Sequence, residues 1–149
     1  MLNEVREDLP IYPIRTAAKL LDISVHTLRM YEKEHLILPF KKSTSHRLYS
    51  QSDIDRINCI RSAINDSKIS INGIKTIYSM MPCWDVMNCS KEDRSKCLAY
   101  LRHSDPCWAV KGGDTICANT DCRNCSVYRN STECGSIKKF IRNKLSSLK

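Results

Sequence analysis

The cysteines are the residues of this chain with the clearest capacity for chemistry. Nine cysteines occur among 149 residues, and eight of the nine lie between Cys83 and Cys134. The frame Pro-Cys-Trp-x-Val occurs twice in that half, as PCWDV and then as PCWAV, and a CxxC pair at Cys122 and Cys125 follows. Cysteines in such patterns bind zinc or iron–sulfur clusters, form disulfides or carry out thiol redox chemistry.

The segment that holds these cysteines has little else to hold it together. Between residues 82 and 133 the sequence shows neither a helical nor an alternating apolar pattern, and polar residues dominate. About fifty such residues bury too little apolar surface to offset the entropy of ordering the chain. The segment is therefore predicted to be crosslinked, and metal ligation by cysteine fits the spacing.

The cellular compartment of the protein indicates whether its cysteines bind metal or form disulfides. The first residues, MLNEVREDLPIYPI, contain no signal-peptide core, and no apolar run is long enough to span a membrane. We therefore expect a cytoplasmic protein without a membrane partner. Because cytoplasmic thiols are kept reduced, the cysteines are interpreted as metal ligands or reactive thiols. Cys59, next to apolar residues, is predicted to be a small buried residue, and Cys134 a free thiol.

The charge balance indicates a polyanionic partner. The chain has 24 Lys and Arg against 16 Asp and Glu, a net charge of +8. An excess of this size favours association with nucleic acid, although it does not specify a fold.

The elements that would position a nucleic-acid interface lie in the first half. Ile14, Ala17, Ala18 and Leu21 follow the spacing of one helix face. A three-residue turn then ends at Ser24, a good N-cap, and a second helix follows. Two short helices joined in this way predict a helix-turn-helix, whose second helix enters the major groove of DNA.

Three further elements complete the predicted domain. Residues 36–50 indicate a turn and a basic hairpin, Ser52 is predicted to cap the next helix, and a last helix follows Ser70. The predicted fold class is mainly α: a winged helix-turn-helix domain (11–81), a small loop-rich cysteine domain stapled by metal (82–130), and a basic amphipathic C-terminal helix (134–149).

The first half resembles the MerR family of transcriptional regulators. The likeness rests on IRTAAKLLDISVHTLRMYEKEHLILP, HRLYSQSDIDRINCIRSAI and ISINGIKTIYSM. His35 stands where the family has a glycine after the recognition helix. The resemblance implies a homodimer on double-stranded promoter or operator DNA, with RNA polymerase as a further partner. The DNA-binding residues predicted from it are Val25, His26, Thr27, Arg29, Tyr31, Lys41, Lys42, Arg47 and Tyr49.

The second half resembles the cysteine-rich "two-CW" domain of bacterial signalling proteins. The likeness rests on both Cys-Trp pairs, on CLAY at 97–100 and on CRNCSVY at 122–128. The metal ligands predicted from it are Cys83, Cys89, Cys97, Cys107, Cys117, Cys122 and Cys125. The predicted cofactor is an iron–sulfur cluster or Zn²⁺. Seven thiols exceed the four that one zinc ion or one four-iron cluster needs, so a second metal, a cluster with shared ligands or spare redox-active thiols would account for the rest.

Three functions remain open at this point. The first is a non-enzymatic, DNA-binding transcriptional regulator whose cysteine centre senses redox state or metal. The second is a DNA-binding protein with a purely structural zinc domain used for dimerisation. The third is a thiol oxidoreductase using the CxxC pair, although the strand–helix context of such enzymes is missing.

Overall fold

A helix-turn-helix lies near the start of the chain. The computed structural model describes residues 6–110, 112, 115–131 and 136–148. Helix α1 (Ile14–Leu21) and helix α2 (Val25–Lys33) are joined by a three-residue turn. The Ser24 side chain caps α2 by accepting a hydrogen bond from the Thr27 amide. Because the two helices bury Ala17, Leu21 and Leu28, the predicted helix-turn-helix is confirmed.

The wing is a small antiparallel sheet. Strands β1 (Tyr12–Pro13), β2 (Phe40–Lys41) and β3 (Arg47–Tyr49) are arranged in the order β1-β3-β2. Strands β2 and β3 form the predicted basic hairpin. Strand β1 was not expected from the sequence; its residue Tyr12 is paired with Tyr49 of β3.

Two longer helices follow the wing. Helix α3 (Gln51–Asn65) begins after Ser50, and helix α4 (Ile71–Ser79) begins after Ser70. The cap of α3 corrects the prediction of Ser52: the Ser50 side chain accepts from the Asp53 amide, and the Asp53 carboxylate accepts from the Ser50 amide. This reciprocal pair is a capping box, which satisfies two amides that the first turn leaves free.

The cysteine-rich half consists mainly of short helices joined by turns. They are α5 (Cys83–Val86), α6 (Lys91–Lys96), α7 (Leu98–Leu101), α8 (Cys107–Val110), a 3₁₀ turn (Cys122–Asn124) and α9 (Ser126–Arg129). Helix α10 (Ser136–Ser146) ends the described chain, and a salt bridge between Lys144 and Asp85 ties it to α5. No helix in the described part of the chain is long and apolar enough to cross a membrane.

One hydrophobic core spans both halves. Buried residues of the first half, among them Leu36, Tyr78 and Met81, pack in the same cluster as Trp108 and Tyr128 of the second. The cysteine-rich half therefore rests directly on the helix-turn-helix domain. Two cysteines fall outside the set of seven predicted metal ligands. Cys59 is disulfide-bonded, which corrects the expectation of a mere packing residue, and the free thiol predicted at Cys134 lies outside the described residues.

Candidate nucleic-acid interface and cysteine centre

The outer face of α2 presents polar and basic side chains. His26, Arg29 and Lys33 are exposed, whereas Val25 and Thr27 are half-buried. The Thr27 hydroxyl lies 2.9 Å from the Ser24 hydroxyl, so the start of the helix is locally ordered. This face has the composition that a helix in the major groove needs, with a cation for phosphate and an imidazole for base edges.

Glu32 joins the wing to this helix. Its carboxylate forms salt bridges with Lys41 of β2, at 2.9 Å, and with Arg47 of β3. Burial raises the pKa of the Glu32 carboxyl, but the hydrogen bonds from Arg47 and Lys41 outweigh that effect and hold the pKa below its ordinary value. The wing cations are thus fixed beside α2, and Lys42 extends the exposed basic surface.

Two of the predicted DNA-binding residues are buried. Tyr31 is 5% exposed and Tyr49 is fully buried. The Tyr49 hydroxyl has no hydrogen-bond partner among the described residues. Both rings pack in the core, and the DNA contacts predicted for Tyr31 and Tyr49 stay predictions.

The seven predicted metal ligands surround one cavity of about 40 Å³, a volume that holds roughly three water molecules. All seven cysteines are free thiols in the structure. The remaining wall is mostly aromatic and aliphatic, and includes Trp84, Tyr100, Trp108 and Val127. The fold therefore collects side chains from positions 83 to 125 around a single, largely apolar cavity.

The thiols influence one another's ionisation. A hydrogen bond from the Cys107 thiol lowers the pKa of Cys83 to about 7, and the same bond raises the pKa of Cys107. Burial, reinforced by neighbouring sulfurs, raises the pKa of Cys117 to about 11 and also raises that of Cys89. An apolar cavity does not stabilise several thiolates without a cation, so the donor set suits a thiophilic metal.

A second feature of the cavity wall supports this fit. The Nε atom of Arg94 is buried without a hydrogen-bond partner among the described residues, and Arg94 lines the cavity. A guanidinium there is suited to offset the negative charge of a thiolate centre. In the described part of the chain, however, no three Cys, His, Asp or Glu side chains are placed as ligands of one metal ion. The thiols converge on a common space without forming a ready-made coordination shell.

No sequence pattern indicated the residues that join the cysteine half to the DNA-binding half. Arg56 on α3 is 1% exposed, and its guanidinium carbon lies 4.0 Å from the ring centre of Tyr128. It lies 4.6 Å from that of Tyr78 and 5.2 Å from that of Trp108. Cation–π attraction of this kind is strongest where water is excluded, as here.

Hydrogen bonds complete the setting of this arginine. Arg56 donates through Nε to the Leu36 carbonyl, at 2.8 Å, and through Nη1 to the Tyr128 carbonyl, at 3.0 Å. The same Nη1 also donates to the Ser131 hydroxyl, at 2.7 Å. A lone arginine in a helix does not reveal such a role, because its partners lie up to 75 positions away in the sequence.

Arg123, inside the CxxC pair, makes the second link. Its Nη2 and Nη1 atoms donate to the two carboxylate oxygens of Asp53, at 2.7 and 2.9 Å. Burial lowers the pKa of Arg123, but the bonds and charge of Asp53 dominate and raise it overall. Since Asp53 also caps α3, this bidentate pair connects the cysteine half to the start of that helix.

Known proteins match the chain most widely over its first half. The family model described as "MerR HTH family regulatory protein" matches residues 12–80. The transcriptional regulator MlrA of Escherichia coli is 31% identical over 117 residues, which cover 75% of this chain and 47% of MlrA. The transcriptional regulator GlnR of Bacillus anthracis is 29% identical over 79 residues, which cover 53% of this chain and 60% of GlnR.

Both relatives are named as HTH-type transcriptional regulators, and neither is named as an enzyme. The chain spans about half the length of the relatives that it matches. The matched region coincides with the sheet, the helix-turn-helix and helices α3 and α4. Residues 12–80 therefore match the MerR family of helix-turn-helix regulatory proteins.

Proposed function

We propose that this protein is a DNA-binding transcriptional regulator that binds double-stranded operator DNA as a homodimer, with RNA polymerase as a further partner at the promoter. One observation supports the DNA-binding part: α2 carries exposed cations, and Glu32 of the same helix holds Lys41 and Arg47 of the wing beside it. In this proposal Arg29, Lys33 and Lys42 contact phosphates, and His26 contacts base edges.

We further propose that the seven cysteines of the cavity hold a metal centre, either an iron–sulfur cluster or Zn²⁺. Such a centre would supply positive charge that lets several buried thiols ionise together. The convergence of all seven thiols on one cavity supports the proposal, as does the buried Nε of Arg94, which has no hydrogen-bond partner among the residues that the structure describes. As an input for the regulator, the centre would sense redox state or metal availability.

The test begins with the protein purified without oxygen. Iron, sulfide and zinc are assayed on the same sample as the visible spectrum. Equal iron and sulfide with a broad absorption near roughly 400 nm would identify a cluster. Stoichiometric zinc without colour would identify a zinc site, and a chain without metal would refute the metal proposal.

DNA binding is tested with the same sample by selecting bound duplexes from a random library. A recovered palindromic consensus supports an operator-binding dimer, and the absence of any consensus refutes sequence-specific regulation. Gel shifts with and without metal then separate sensing from structure. Reversible loss of affinity supports a sensor, whereas irreversible unfolding supports a structural zinc domain.

The arrangement of Cys122 and Cys125 does not favour a thiol oxidoreductase. Cys122 lies in a 3₁₀ turn and Cys125 follows that turn, ahead of the four-residue helix α9, and both line the cavity; the described residues of the cysteine half contain no strand before them. Catalytic CxxC pairs need an accessible thiolate at the start of a helix that follows a strand.

A further inference from the structure

The segment between α2 and the wing, residues 34–39, is held by the cysteine half. We call this segment the hinge. It follows the last residue of α2 and leads directly into β2. His35 has a positive φ of 59°, and the Leu36 amide, which follows it, donates to the Tyr31 carbonyl at 3.0 Å, so a left-handed residue ends α2. Leu36 and Ile37 are buried.

Three side chains of the cysteine half bond to the hinge backbone. The indole Nε1 of Trp108 donates to the His35 carbonyl, at 2.7 Å. The Leu38 amide donates to the Tyr128 hydroxyl, at 2.8 Å. Nη1 of Arg123 donates to the Leu38 carbonyl, at 2.6 Å. The hinge therefore relies on a distant part of the sequence for hydrogen bonds that its own backbone leaves unmade.

The three side chains are coupled to the cavity by the chain itself. Trp108 directly follows Cys107, and Arg123 directly follows Cys122. Tyr128 lies on α9, the helix that begins after Cys125. Consecutive Cα atoms are only about 3.8 Å apart. A change in the positions of these sulfurs therefore moves the groups that hold the hinge.

We infer that the cysteine centre acts on DNA binding within one chain, by fixing the hinge and with it the angle between the recognition helix and the wing. This inference rests on the function proposed above and adds its route of regulation. With the thiols held together, Trp108, Arg123 and Tyr128 keep the hinge backbone in the position seen here. When the thiols separate, those bonds weaken, and the hinge becomes free to change its path between α2 and β2.

Hydrogen exchange of the full-length chain, followed by mass spectrometry of peptides covering residues 34–40, tests this route. Trp108→Phe and Tyr128→Phe each remove one hinge bond while keeping a ring in place. Loss of one such bond is expected to speed hinge exchange about fivefold to tenfold. Removal of metal from the unmodified chain is expected to do the same.

The duplicated frame offers a matched control. Trp84 follows Cys83 and lines the same cavity, but its ring packs edge-on against Tyr100, at 5.3 Å between ring centres, away from the hinge. Trp84→Phe should leave hinge exchange unchanged. Metal content and far-ultraviolet circular dichroism establish that each variant is loaded and folded.

The results separate the two proposals. Equal hinge exchange in the Trp108→Phe and Trp84→Phe proteins would overturn the inference, as would hinge exchange that is identical with and without metal in a chain that binds DNA. A chain that binds neither metal nor DNA would instead refute the proposed function at its first step. Faster exchange confined to Trp108→Phe, Tyr128→Phe and the metal-free chain supports the route.

Discussion

Replacing Arg56 by lysine should destabilise the protein strongly, although the charge is conserved. The substitution Arg56→Lys keeps one buried cation in the same place, so the cost of removing a charge from water remains to a first approximation. What changes is the geometry of donation. A guanidinium is a planar fork that stacks on rings while it donates in several directions, whereas an ammonium is a compact point charge.

The expected loss follows from the contacts. Arg56 makes hydrogen bonds to the Leu36 and Tyr128 carbonyls and to the Ser131 hydroxyl. A lysine cannot reach all three acceptors, and a bond from a charged donor contributes about 1.5–3 kcal/mol. Weaker stacking on Tyr128 removes about 1 kcal/mol more. We therefore expect the free energy of unfolding to fall by about 3 kcal/mol, a large part of the 5–15 kcal/mol typical of such domains.

Urea unfolding followed by tryptophan fluorescence measures this loss. With a slope of about 1.5 kcal/mol per M, the midpoint should fall by about 2 M. Arg142→Lys is the matched control, because Arg142 is exposed on α10. If both substitutions shift the midpoint by less than about 0.5 M, the argument that Arg56 anchors the two halves is refuted.

Three further predictions follow from the ion pairs and the basic face. Arg123→Met leaves the Asp53 carboxylate, 5% exposed, without its bidentate partner and should lower the free energy of unfolding by about 3 kcal/mol. Arg129→Met removes a half-exposed ion pair with Asp8 and should lower the free energy of unfolding by less than about 1 kcal/mol. Equal losses for the two variants in urea unfolding would contradict this distinction. Arg29→Ala should weaken DNA binding similarly for all sequences and reduce the slope of log affinity against log salt by about 1 in gel shifts; an unchanged slope would remove Arg29 from the phosphate contacts. The pKa of Glu32 is lowered, so its ion pairs stabilise the fold at pH values above the ordinary glutamate pKa, and this stabilisation is lost as the pH falls through the lowered pKa. Thermal unfolding between about pH 6 and pH 3 should show this loss in the unmodified protein and a smaller loss in Glu32→Gln. Parallel curves for the two proteins would refute the role of Glu32 in this pH dependence.

Much of the first half could be predicted because its determinants are local. The spacing of Ala17 and Leu21 and the cap at Ser24 lie within a few residues of the helices that they define, and the structure confirms both helices. The N-terminus of α3 was misplaced because the sequence offers two equivalent boxes, one starting at Ser50 and one at Ser52. The tertiary contact between Asp53 and Arg123 favours the first.

The links between the halves could not be predicted from local patterns. Arg56 and Arg123 are of a residue type that is usually exposed to solvent, and their burial depends on partners about 70 positions away in the sequence. The aromatic rings around Arg56 come from α4, α8 and α9. The seven cysteines of the pattern line one cavity, but their spacing does not identify a metal, and their role as ligands stays a prediction.

The shared core has a consequence for anyone who recombines regulators. A chimera cut at Pro82, with the first half joined to a foreign effector domain, would expose Tyr78 and Met81, which are buried here. It would also strip the Leu38 amide and the His35 carbonyl of their partners. The family match ends at residue 80, but the unit that can be transplanted does not. A functional chimera made from this protein has to include the cysteine half together with the helix-turn-helix domain.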